Sequence, residues 1–311
     1  MAAGPVHLGV APIAWSNSDL PELGGATPLE TCLRESRAAG YRGTETGVKF
    51  PLDPARLGPI LREHDLALVS GWFSGRLLEL SVEEEKRRIE DQLACFGALN
   101  AAVLIYAETT GSVQTDRGVG LGRRPRLSPS EFADYGRKLT ALAEHLMTRG
   151  VPLSYHHHMG TVVESADEVD LLMANTGEAM GLLLDTGHLT FAGADVDAVT
   201  RRHGARINHV HCKDIRPDVL ARVRALDMSF LDAVLEGVFT VPGDGCIDFA
   251  SFARVLAEIG YAGWVVVEAE QDPAKAPPFE YARMGHDHLV EVFTAAGFRI
   301  NGGGHERGGQ P

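Results

Sequence analysis

Cysteine is scarce, with four in 311 residues: Cys32, Cys95, Cys212 and Cys246. None stands in a CxxC pair, so neither a zinc ribbon nor a disulfide framework is expected, and a reducing cytoplasm is the simplest location. Positive charge is short as well. Lys and Arg total 29 against 42 Asp and Glu, a net charge of −13 that would repel a phosphate backbone or an anionic membrane surface. Nucleic acid and membrane are therefore not expected partners. No apolar run approaches the roughly 18 residues a spanning helix needs, and MAAGPVHLGVAP has no basic segment leading into an apolar one, so neither a span nor an export signal is expected. The phosphate-cradling fingerprint GxGxxG is also missing: the first apolar run, GVAPIAW, offers Gly9 alone. With 44% hydrophobic and 23% charged residues, an ordinary globular chain with a large core remains.

Short apolar runs of strand length alternate with segments whose apolar residues recur at helical spacing. The strand-like runs are VHLGVAPIAW (6–15), YRGTETG (41–47), ALVSGWF (67–73), AAVLIYAE (101–108), GVPLSYHHH (150–158), AMGLLLDTGH (179–188), ARINHVHCKD (205–214) and AGWVVVEAE (262–270). Eight strands alternating with eight helices predict an α/β fold, a single-domain (β/α)8 TIM barrel over 1–297, with 298–311 as a disordered Gly-rich tail. The stretch after the fourth strand, TTGSVQTDRGVGLGRRPRL, is long for a βα connection and reads as a site cover or a disordered loop. Its Arg117, Arg123, Arg124 and Arg126 read as solvated, and 215–245 as irregular.

Barrel active sites lie at the C-terminal strand ends, and here those ends are rich in ionisable groups. They carry Glu45, Trp72, Glu108, His156, His157, His158, Asp185, His188, His209, His211, Lys213, Asp214, Glu268 and Glu270. A strand such as GLLLD that runs into a carboxylate needs a cation or hydrogen bonds to offset desolvation. His156, Asp185, His211 and Glu268 form a candidate N/O shell for Mn²⁺, Co²⁺, Zn²⁺ or Mg²⁺. Period two places His156 and His158 on one face and His157 on the other, and puts His209 behind His211. Asp185 reads equally as an N-cap, His188 as a substrate contact or proton carrier, and Lys213 as an oxyanion stabiliser or the partner of Asp214. Trp15 and Trp72 are candidates to stack on a sugar or cyclitol ring, with core packing as the other reading, while Trp264 reads as core. PGDG (242–245) is a turn.

APIAW, GTETG, SGWFS, SYHHHMGT, GLLLDTGH, HVHCKDIR, FTVPGDG and GWVVVEAEQDP together resemble the inosose dehydratase family of the xylose-isomerase-like barrels, in order from about residue 8 to about 293. LDTGH and HVH belong to the whole superfamily; YHHHMGT, FTVPGDG and VVEAEQDP are specific to the dehydratases. The resemblance implies a metal-dependent hydro-lyase that removes water from 2-keto-myo-inositol in inositol catabolism, using Mn²⁺ or Co²⁺ and requiring glutathione. The shell residues would bind the ketone and a neighbouring hydroxyl. His156, His158, His188 and Lys213 would handle protons and negative charge, and Glu45, Trp72, Glu108, Trp15 and Glu270 would contact substrate. His156 stands where the superfamily usually has a Glu, which removes one of the two acid/base groups of a sugar epimerase. An isomerase or epimerase on the same barrel is the alternative. Association into a homo-oligomer is left open.

Overall fold

The computed structural model describes residues 3–300. Strands β1 (Pro5–Val10), β2 (Gly43–Thr46), β3 (Ala67–Gly75), β4 (Leu104–Glu108), β5 (Leu153–His156), β6 (Met180–Asp185) and β7 (Ile207–Cys212) are followed by a short antiparallel pair, β8 (Asp214–Ile215) and β9 (Phe239–Thr240), then β10 (Gly263–Val267). The sheet runs β10-β7-β6-β5-β4-β3-β2-β1 with every pairing parallel, and β1 pairs again with β10 to close a ring of eight. This is the (β/α)8 barrel that the alternation predicts. A final strand, β11 (Arg299–Ile300), pairs with the start of β1, and Phe298 is buried. The boundary expected at 297 therefore moves to at least 300, because those residues cover an edge of β1. The rest of the expected tail, 301–311, lies outside the described residues.

Alternation along β6 shows how the barrel separates its two faces. Leu182 and Leu184 join the large cluster beneath the helices, whereas Leu183 packs inside with Val103, Ile105 and Trp72. Two residues beyond Leu183, Asp185 is inside as well, in register with His211. At the opposite end Trp264 fills the interior beside Val69 and Val266. Gly43 makes room there, since a Cβ at that position would collide with Val69 and Trp264. The helices start where the sequence provides caps: Ser81 with Glu84, Ser128 with Glu131 and Ser165 with Glu168 each form a reciprocal capping box.

Two expectations are corrected. The segment 215–245 holds two helices, Pro217–Ala225 and Phe230–Leu235, which pack Leu220, Val223, Phe230 and Val234 into a satellite core with Phe191 and Phe239. Arg124 is not solvated: its side chain is 2% exposed, donates to both oxygens of Glu168 at 2.8 Å and to the Thr161 carbonyl at 3.0 Å, and forms an ion pair with Glu164 at 3.1 Å. Arg117 pairs with Asp232, and Arg123 and Arg126 are exposed.

Arg124 thus latches the long 109–127 connection onto the helix Ala166–Ala174. Removing one partner of a buried ion pair costs about 3–5 kcal/mol. Arg124→Met is expected to lose about that much in urea unfolding. It should also raise KM, because the latched segment walls the cleft described next.

Candidate active site

A cleft of about 650 Å³ opens at the C-terminal strand ends. Its floor is made by Glu45, His158, His211, Glu268 and Glu270, with Trp72 on one wall. Ser16, Ser18 and Asp19 come from the loop after β1, and Val48, Phe50 and Leu52 from the loop after β2. Thr109, Ser112, Gln114 and Thr115 come from the connection that Arg124 latches. That connection is a cover, one of the two readings its length allowed.

Beneath the floor, ring tautomers are set by the backbone. His156 Nδ1–H donates to the His157 carbonyl at 2.6 Å, and His158 Nδ1–H to the Met159 carbonyl at 2.8 Å. Burial pushes the His156 imidazole well below its usual range and that of His158 down to about 4, so both are neutral and present Nε2 as a lone pair. His156 Nε2 has no hydrogen-bond partner and lies 3.6 Å from Asp185 Oδ2, which also has none. The other oxygen, Asp185 Oδ1, accepts the His188 N–H at 2.8 Å and caps the helix Thr186–Ala192. The N-cap reading of Asp185 therefore holds through Oδ1, while Oδ2 is the oxygen to which the ligand reading applies. His157 points elsewhere, its Nε2 accepting the Asp185 N–H at 3.3 Å.

His156, Asp185, His188 and Glu268 bring ligand atoms within 4.8 Å of one another. The sequence-derived shell had His211 in place of His188. In the structure His211 stands beside this group, Nδ1 3.1 Å from Glu268 Oε2 and 3.7 Å from Asp185 Oδ2. Two buried atoms lacking partners, one imidazole nitrogen and one carboxylate oxygen, within a set of N and O donors fit a divalent cation.

Lys213 is fully buried and does not pair with Asp214. Its Nζ lies 2.8 Å from Glu268 Oε2, 3.0 Å from Glu270 Oε2, 3.7 Å from Asp185 Oδ2 and 3.1 Å from His188 Nε2. Gly187 of the DTGH run lets the lysine pass, because a Cβ there would collide with the Lys213 stem. Burial raises the Glu268 carboxyl, but Lys213 and His211 outweigh it and hold the group well below the usual carboxylate range. Glu270 moves the other way: burial, reinforced by the Glu268 charge and opposed by Lys213, pushes it up to about 7.

Four other candidates, Trp15, Glu108, His188 and Asp214, fall outside the cleft. Trp15 is a core residue whose indole donates to Glu35 at 2.7 Å. Glu108 is buried on the far side of β4, accepting from the backbone N–H groups of Leu78 and Thr110, so its expected substrate contact is not made. His188 sits behind His158, ring centroids 4.0 Å apart, against Phe230 and Phe239. Asp214 shapes the PGDG turn, accepting N–H bonds from Ile215, Gly243, Gly245 and Ile247. Trp72 stands edge-on to His156 and His158 at 5.6 and 5.5 Å and lines the cleft. Asp19 and Gln114 were missed. Their loops give no periodic signal, and only position after a strand end could have marked them.

The family model for xylose isomerase-like TIM barrels matches residues 33–292. Inosose dehydratases of Clostridium tetani and Geobacillus thermodenitrificans are 41% and 42% identical, each alignment covering 92% of this chain and 97% of the relative. The chain belongs to the inosose dehydratase family. Within it, the rhizopine catabolism protein MocC of Rhizobium meliloti is 51% identical over 95% of this chain and 91% of its own length. Solved structures outside this dehydratase group share the fold. The IolI protein with a bound zinc atom superposes with a TM-score of 0.66 at 18% identity, covering 93% of this chain and 99% of that one. An L-ribulose 3-epimerase gives 0.66 at 17%, covering 94% and 95%. No helix among the described residues is long and apolar enough to cross a membrane.

Proposed function

We propose that this chain dehydrates 2-keto-myo-inositol to a trihydroxycyclohexane-1,2-dione. The observation that carries the reading is the pair of buried, unpartnered atoms, His156 Nε2 and Asp185 Oδ2, at the base of a cleft in a chain whose relatives are inosose dehydratases. His156, Asp185 and Glu268, with His188 or His211 as a fourth donor, would hold a divalent cation, Mn²⁺ or Co²⁺ in our reading. When bound it supplies a Lewis acid for the ketone oxygen and a neighbouring hydroxyl.

The remaining work falls to the chain's own groups. A proton leaves the carbon next to the ketone, the hydroxyl on the following carbon departs as water, and the resulting enol ketonises to the dione. His158 Nε2 is suited to take the first proton, since its Nδ1–H is committed to a carbonyl and its ring reaches the cleft. Glu270 also lines the cleft and lies 4.0 Å from His158 Nε2, so it is the group placed to protonate the departing hydroxyl. Lys213 places a fixed positive charge beneath the developing enediolate. His188, hidden behind His158, supports that ring instead of meeting substrate. Trp72 offers an apolar face to the ring carbons, and the 109–127 cover limits water.

Incubation with 2-keto-myo-inositol followed by proton NMR tests the reading. A methylene signal and loss of two CHOH methine signals, one carbon having become the second ketone and the other the methylene, mark the dione, whereas an epimerised ketose keeps every ring carbon oxygenated and supports the alternative chemistry. Parallel reactions with and without glutathione test the requirement that the resemblance implies.

A further inference from the structure

One buried carboxylate, Glu45, is not used by that mechanism. Glu45 Oε1 accepts from three groups at once: Ser70 Oγ–H at 2.6 Å, His209 Nε2–H at 3.0 Å and His211 Nε2–H at 3.0 Å. Glu45 is the penultimate residue of β2, while the two imidazoles come from β7 across the barrel. Ser70 Oγ also lies 3.3 Å from His209 Nε2, so the hydroxyl and His209 fix the carboxylate from behind.

We propose that Glu45 is a positioning residue that turns His211 into the fourth cation ligand. This rests on the metal-dependent reading above and decides between its two candidate imidazoles. A carboxylate that takes the Nε2–H of His211 leaves Nδ1, which meets only carboxylate oxygens, as the nitrogen on which a cation can replace a proton. Nδ1 is the atom that faces Glu268 and Asp185, at 3.1 and 3.7 Å. His188 lacks such an arrangement: Nδ1 faces the Met159 N–H at 3.4 Å and Nε2 faces the Lys213 ammonium at 3.1 Å, so both nitrogens already meet donors. Hydrogen bonding of a ligating imidazole to a carboxylate fixes its tautomer and raises its basicity.

Glu45, His209 and His211 also have the composition of a small cation site of their own. The hydrogen-bonded arrangement is the cheaper one. A cation on His209 Nε2 would put the ring proton on Nδ1, which is buried with no acceptor, whereas donation to Glu45 leaves only a lone pair there.

The test uses Co²⁺ as probe on the stripped full-length chain, with affinity from chelator competition, stoichiometry from metal analysis and geometry from the visible absorption of the bound ion. Glu45→Gln keeps the shape and a weaker acceptor, and Ser70→Ala loosens Glu45 without touching His211. Glu45→Gln is expected to weaken Co²⁺ binding about 10–100-fold and to shift the absorption band, with KM at saturating Co²⁺ changed less than about threefold. Ser70→Ala is expected to fall between wild type and Glu45→Gln. Unchanged Co²⁺ affinity with a tenfold higher KM would make Glu45 a substrate contact and overturn the proposal. Two ions per wild-type chain, falling to one in Glu45→Gln, would overturn it in favour of a second cation site. A wild-type chain that takes up no Co²⁺ would overturn the metal reading itself, whatever the variants do.

Discussion

Asp185→Ala is expected to lose both bound divalent cation and turnover, the latter by about 10⁴-fold or more, because the substitution removes a central donor of the N/O group in which, among the described residues, an unpartnered imidazole nitrogen faces an unpartnered carboxylate oxygen. Two effects are superposed in this variant. The oxygen Oδ1 caps the helix Thr186–Ala192, and losing such a cap costs about 1 kcal/mol. Oδ2 makes no hydrogen bond, faces His156 and the cation position, and only approaches Lys213 and His211 at 3.7 Å, so its loss bears chiefly on metal and chemistry. Asp185→Asn separates them, since the amide oxygen still caps while the negative charge is gone. Asn should therefore recover most of the thermal stability and little of the metal content. Metal analysis beside calorimetry on both variants checks this, and stoichiometric metal in Asp185→Ala would contradict the shell.

Lys213→Met is expected to be nearly as damaging, for a different reason. The ammonium neutralises Glu268 and Glu270 and approaches Asp185, with its own ring contact to Phe239 at 4.8 Å. Methionine fills the volume but leaves buried carboxylates unpaired, which costs about 3–5 kcal/mol when one partner of a buried pair is removed. The relief available is distinctive. An added divalent cation can offset the same carboxylates, so the variant should be stabilised by Mn²⁺ or Co²⁺ more than wild type is, by mass action on the folded state. Turnover should stay about 10²–10³-fold low even at saturating metal, because the charge under the enediolate is missing. Melting temperature with and without metal, together with kcat, reads both. Equal metal stabilisation of wild type and variant would show that lysine and cation act on separate charges.

Much of the site was legible because a barrel places strand ends at one rim. GLLLD ending in Asp185 and HVH ending near Lys213 announce themselves as apolar strands that finish in charge. Orientation was harder. Trp15 and Trp72 look alike in the sequence, yet only Trp72 follows the inward alternation of its strand, while Trp15 directly follows a short 3-10 turn, Pro12–Ala14, and faces Glu35. Glu108 closes its strand and Glu45 is the penultimate residue of its own, yet the two face opposite sides. Arg124 belongs to a basic run that resembles solvated loop, and its burial depends on two glutamates some 40 residues away that no local pattern reveals. The two helices inside 215–245 have nine and six residues, too short for helical period to stand out. The hold of Glu45 on His211 joins positions 166 residues apart and exists only once the barrel closes.

Reconstitution tests the central claim most directly. The chain is stripped with a chelator, given 2-keto-myo-inositol, and followed by proton NMR before and after addition of Mn²⁺ or Co²⁺. The account predicts no reaction before addition and dione with its methylene signal afterwards, in proportion to metal bound. Dione formed at the same rate by the stripped chain, or an epimerised ketose as the product of the metal-loaded one, would contradict it.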